Sequence, residues 1–76
     1  MSTIITSVDR HSPAERAGIN PGEQLLTING HEIIDVLDYR FYGYDTDCRL
    51  ELREPSGAVR TVSLRKPEGR DLGLNF

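Results

Sequence analysis

SPAERAGINPGEQLLTINGHEI, Ser12 to Ile33, decides how this chain folds. Ser12 suits a helix N-cap, Pro13 suits a first helical position whose N–H has no partner, and Glu15 completes an S-x-x-E capping box. Gly18 stops the helix after little more than one turn. Pro21-Gly22 carries type II turn chemistry. Leu25, Leu26 and Ile28 read as strand residues, and Asn29-Gly30 is the strongest short hairpin signal. His31 to Ile34 runs back out. Each local preference supports its neighbour, the mark of a sequence that specifies one structure.

Outward from this stretch the elements stay short. Ile4 to Val8 is β-branched and reads as a strand. Asp35 is placed to cap a second helix, Val36 to about Tyr42, in which Leu37, Phe41 and Tyr44 fall at i, i+4 and i+7 on one face, with Leu37 and Phe41 expected in the core. Cys48 to Glu54 alternates, with Cys48, Leu50 and Leu52 on one face and Arg49, Glu51 and Arg53 on the other, as a half-buried antiparallel strand does. Pro55-Ser56-Gly57 turns the chain. Val59 to Lys66 then forms another strand with Val62 and Leu64 inward. The expectation is a mostly β domain with two α-helices, of the α+β class. Ile28, Leu50 and one of Leu25 and Leu26 form its core.

With 76 residues the chain makes one domain, 1–76, burying roughly 60% of the surface its unfolded form exposes. The net charge of −3 argues against nucleic acid or an anionic membrane as partner. Residues 1–47 carry 3 basic and 8 acidic side chains, net −5, and residues 48–76 carry 6 basic and 4 acidic ones, net +2. An anion-seeking surface is therefore expected in the C-terminal third. Cys48 is the single cysteine, which excludes an internal disulfide and a multi-cysteine metal site. No signal peptide or membrane span is read in the sequence, so a cytoplasmic home is expected.

The order strand, SPA-x-x-AG-φ, PG-acid, apolar strand, NG resembles the middle of a PDZ domain of the bacterial kind, with Glu23 where that family usually has Asp. The resemblance implies a PDZ-like, partly open antiparallel barrel. Usual PDZ domains capture the C-terminus of another protein: a φ-G-φ loop offers its amides to the terminal carboxylate and the next strand pairs with the peptide. No such loop stands near the N-terminus here. One stands at the other end, where Leu72-Gly73-Leu74 follows a basic strand end. The resemblance therefore implies a circularly permuted domain. Arg65, Lys66 or Arg70 would help the carboxylate, and Val36 and Arg40 would look into the groove from the second helix. The strand around Val62 would pair antiparallel with that around Leu50, and the loop would approach the N-terminal end of the Asp35-capped helix. Leu72-Gly73-Leu74 also fits a plain strand with a close backbone contact.

No nucleophile sits in a motif that activates it, so no catalytic residue is assigned; a small hydrolase is the remote alternative. His11 and His31 with scattered carboxylates make no metal signature, and no cofactor is expected. The whole chain is also similar to the N-terminal PDZ-like segment of a bacterial family of iron–sulfur oxidoreductases of the radical-SAM type. That likeness implies a longer protein whose cluster cysteines lie beyond Phe76. The expected role is a non-catalytic recognition module for a protein or peptide C-terminus or an extended segment. The alternative is a structural domain whose groove is filled in cis by a neighbouring domain. A weak homodimer through the exposed groove strand is a further expectation.

Overall fold

The computed structural model describes residues 2–76. Ser12 caps α1 (Pro13–Arg16), its Oγ accepting from the Glu15 N–H at 3.1 Å and donating to the Asp9 carbonyl at 2.7 Å. The reciprocal arm of the box is displaced by one residue. The Glu15 carboxylate accepts from the His11 N–H at 2.8 Å, and His11 itself is held at φ 61°. The remaining elements are β1 (Ser7–Val8), β2 (Gln24–Ile28), β3 (His31–Glu32), α2 (Val36–Tyr42), β4 (Asp47–Arg53), β5 (Val59–Arg65) and β6 (Leu74–Asn75). Asn29 and Gly30 both take positive φ, 51° and 83°, as a type I′ turn between β2 and β3 requires.

Two antiparallel sheets result. One has strand order β3-β2-β4-β5, and the other is the β1-β6 pair. They do not close into a barrel. The expected continuous strand from Ile4 to Val8 is divided between them: Ile4 bridges to Gln24, while Ser7 and Val8 pair with Asn75 and Leu74. Leu50 stands opposite Ile28 on one side and Val62 on the other, so three core side chains line up across β2, β4 and β5. Cys48, Leu50 and Leu52 all point inward, as their alternation implies. In β2 the inward residues are Leu25 and Ile28, three apart. An irregularity in the β2–β4 register between Leu25 and Thr27 shifts the face by one residue and leaves Leu26 half-buried.

α2 is rotated relative to its apolar pattern. Its N-terminus is fixed by a reciprocal capping box in which Asp35 accepts from the Leu37 and Asp38 N–H groups and Asp38 accepts from the Asp35 N–H. The residues that reach the core are Val36, Tyr39, Tyr42 and the following Gly43. Leu37 and Phe41, expected inside, are 69% and 74% exposed, and Tyr44 on the same stripe is 54% exposed. Tyr39 takes the inner position because its ring packs on the core while its hydroxyl finds polar partners on the β6 loop. Gly43 completes that inner face, where any Cβ would meet the Tyr39 carbonyl and the Leu72 side chain.

Glu23 carries more than the charge of the Asp it replaces in the family pattern. Its buried carboxylate accepts from Arg60 Nε at 2.7 Å and Nη2 at 2.9 Å, and also from the Asn20 N–H at 2.8 Å. The longer side chain thus ties the turn before β2 to β5. The Arg60 hydrogen bond, helped by that of Asn20, holds the Glu23 carboxyl below its ordinary value of 4.5 against the opposing effect of burial. A depressed folded-state pKa gives stability that is complete above the unfolded value and lost as pH falls through the folded one. Acid unfolding monitored by circular dichroism should therefore show a loss below about pH 4.5 in which Glu23→Gln does not share. At neutral pH that variant should be about 2–3 kcal/mol less stable, since it leaves Arg60 half-paired. A variant as stable as the parent at pH 7 would contradict this role.

Candidate functional site

β6 pairs with another strand, β1, along one edge. The Gly73 and Asn75 carbonyls accept from the Asp9 and Thr6 N–H groups, each at 2.8 Å, so these residues face β1. Alternation then turns the Leu74 backbone to the opposite edge, toward α2. There its N–H donates to the Tyr39 hydroxyl at 3.1 Å. The Tyr39 ring lies between β6 and α2, with Phe76 edge-on to it at 5.1 Å between centroids. Leu72, Gly73 and Leu74 are all buried.

The loop before β6 is held on both flanks. Its Leu72 carbonyl accepts from the Ala14 N–H at 2.9 Å, which anchors it to α1. Gly73 sits at φ 95°, pressed on Ser12. Its N–H donates to Asp71 Oδ2 at 2.8 Å, and the same oxygen accepts from the Tyr39 hydroxyl at 3.3 Å. The result is a short relay, Leu74 N–H to Tyr39 Oη to Asp71 Oδ2, with Gly73 N–H converging on the last atom. Burial pushes the Tyr39 phenol far above its ordinary range, and the Asp71 charge adds to that. The hydroxyl therefore keeps its proton and donates it toward Asp71.

Two hollows flank Asp71. One, about 260 Å³, is lined by Arg40, Tyr44, Arg70, Asp71 and Leu72 among others. The other, about 220 Å³, lies between Asp71, Arg70 and the Asp9–Ser12 corner. Of the residues expected at an anion-binding loop, Leu72, Arg70 and Arg40 come together at the first hollow. Val36 lies half-buried in the first turn of α2. The loop meets α2 at Tyr39 and Gly43 rather than at its N-terminal end: Gly43 faces Leu72, and the Gly69 N–H donates to the Tyr44 carbonyl at 2.9 Å. Lys66 is buried and spends its Nζ on the Tyr44 carbonyl at 3.3 Å, just past the C-terminus of α2 where the helix dipole favours a cation. Arg65 lies away from the loop, in an exposed pair with Asp47 at 3.3 Å. Tyr39 and Asp71 were not singled out from the sequence. Asp two residues before Gly is a signal for a side chain that bonds its own backbone, and it marks Asp71.

The two candidate nucleophiles are engaged in hydrogen bonds of the fold. Ser12 Oγ is the α1 cap, and Cys48 Sγ lies 3.4 Å from the Asp45 carbonyl, its thiol pushed up mainly by burial. Among the described residues no group of three or more His, Cys, Asp or Glu side chains could hold a metal ion, and no helix is long and apolar enough to cross a membrane.

A strand paired along one edge and facing a helix on the other is a setting in which strand addition can occur. The family model described as PDZ domain matches residues 4–54, more than half of the chain, and this chain belongs to the PDZ family. It is also similar to carboxyl-terminal-processing peptidase 3, chloroplastic, of Arabidopsis thaliana, at 34% identity over 67 residues. That stretch covers 87% of this chain and 11% of the peptidase, so the chain spans a small part of that relative. The family defines it as a protein- or peptide-binding module in general terms.

Proposed function

We propose that the domain binds an extended protein segment in the groove between α2 and β6, by strand addition at the Leu74 edge. The Leu72-Gly73-Leu74 loop receives the segment's terminal carboxylate. The observation that carries this reading is the orientation of Leu74, whose backbone faces α2 while its neighbours face β1. Arg70 and Arg40 border the loop hollow and supply its positive charge; Val36 contributes the far wall. On this reading β5 and β6 are the first two strands of the usual family order moved to the end of the chain, a circular permutation. The β4–β5 hairpin, with Leu50 opposite Val62, is the pairing such a rearrangement needs.

Calorimetric titration with a peptide ending in hydrophobic residues tests the reading. Binding is expected in the micromolar-to-millimolar range, weaker in high salt, and several-fold weaker when Arg40 and Arg70 are both changed to Glu. Binding that ignores both salt and these charges would count against the loop as the carboxylate site.

A second reading is favoured by the outer face of α2. Ile34, Leu37, Phe41 and Tyr44 are all more than half exposed, at 60%, 69%, 74% and 54%. Clustered apolar exposure of this kind marks a protein contact. In this reading the domain packs in cis on a neighbouring domain of a longer protein. On the resemblance to the radical-SAM type of iron–sulfur enzyme, that neighbour would be an oxidoreductase whose cluster lies outside these residues. Self-association through the β6 edge would appear as a concentration-dependent dimer in sedimentation.

A further inference from the structure

The loop amide that a ligand carboxylate needs is already bonded to a carboxylate of the chain itself. Asp71 Oδ2 accepts from the Gly73 N–H at 2.8 Å and from the Tyr39 hydroxyl at 3.3 Å, and that hydroxyl in turn holds the Leu74 N–H at 3.1 Å. Two donors of the loop and helix therefore converge on one carboxylate oxygen, the arrangement expected around a bound chain terminus. Asp71 is nonetheless exposed, and hollows open on both sides of it, so its side chain has room to swing away. Leu72 and Gly73 are meanwhile fastened through their carbonyls to Ala14 of α1 and to Asp9 beside β1.

We infer that Asp71 is a built-in competitor for the loop, a resident carboxylate that an incoming one must displace. The inference rests on the groove reading above and specifies how that site is regulated and what it selects. An intramolecular carboxylate acts at high effective concentration, so the free domain holds its own loop closed. Free C-termini bind weakly as a result. Segments that lie along the β6 edge without placing a carboxylate in the loop escape the competition with Asp71 and have only to take the Leu74 N–H from the Tyr39 hydroxyl. Selection therefore shifts from chain ends toward internal extended segments, and contacts that draw Asp71 toward Arg40 or Arg70 would open the loop to chain ends.

The experiment uses acetate as the carboxylate and acetamide as its neutral control, with amide shifts read by two-dimensional NMR. Asp71→Ala should move the Gly73 resonance and speed its hydrogen exchange, leaving the β4–β5 amides in place. Acetate should then perturb Gly73 and Leu74 at a concentration about tenfold lower than in the parent, the effect of losing one charge-assisted competitor. Asp71→Asn, which removes the charge but keeps an acceptor for the Gly73 N–H, should gain under about threefold. Acetamide should distinguish none of the three proteins. Equal gains for Ala and Asn would reduce the effect to net charge and overturn the inference, as would unchanged acetate binding in Asp71→Ala. If acetate behaves as expected and peptides with free C-termini bind neither protein, the peptide reading falls while the closed loop stands.

Discussion

Gly73→Ala should be about 2–5 kcal/mol less stable than the parent, a large part of the 5–15 kcal/mol typical of a domain. Two costs combine. At φ 95° an L side chain is strained, worth about 1–3 kcal/mol. The new Cβ would also overlap Ser12 Cβ and Oγ, and Ser12 Oγ is the cap of α1. Pushing it aside forfeits about 1–2 kcal/mol. Because Gly73 also bonds Asp9 and Asp71, the damage should spread to the β1–β6 pair, read as lost amide protection at Val8 and Leu74. A Gly73→Ala protein with an unchanged urea midpoint would mean that the loop does not rest on α1.

Ile28→Ala should cost about 2–5 kcal/mol. Ile28 is fully buried, stands opposite Leu50 in the β2–β4 ladder, and reaches toward Gly43 at the end of α2. No disulfide reinforces so small a core. The urea midpoint should fall with the slope unchanged, since the surface exposed on unfolding is nearly the same. A loss below about 1 kcal/mol would show that the ladder and α2 collapse onto the vacancy, which the crossing of three strands at Leu50 argues against.

The segment from Ser12 to Gly30 was legible because each signal there is local: a cap acts within one turn, and Asn-Gly sets its own φ angles. The alternation of Cys48, Leu50 and Leu52 was legible for the same reason. The bulge that turns both Leu25 and Ile28 inward was not, because it is set by the partner strand. α2 shows the limit most clearly. Periodicity picked out Leu37, Phe41 and Tyr44 as a stripe and placed Leu37 and Phe41 in the core, and the structure turns that stripe outward. A tyrosine with two polar partners across the groove decided that. Arg65 and Lys66 sit next to each other in sequence. The strand end sends one to Asp47 at the surface and buries the other against Tyr44.

The central claim, that extended segments dock between α2 and β6 with the Leu72–Leu74 loop at the closed end, is tested most directly by mapping amide shifts during titration with a hydrophobic C-terminal peptide and its amidated twin. The account predicts shifts at Leu72, Gly73, Leu74 and Asn75 and along Val36 to Arg40. It also predicts that the gap between acid and amide forms widens in Asp71→Ala. Shifts confined to the β3-β2-β4-β5 sheet or to the outer Leu37–Phe41 face, with the loop amides unmoved, would contradict it.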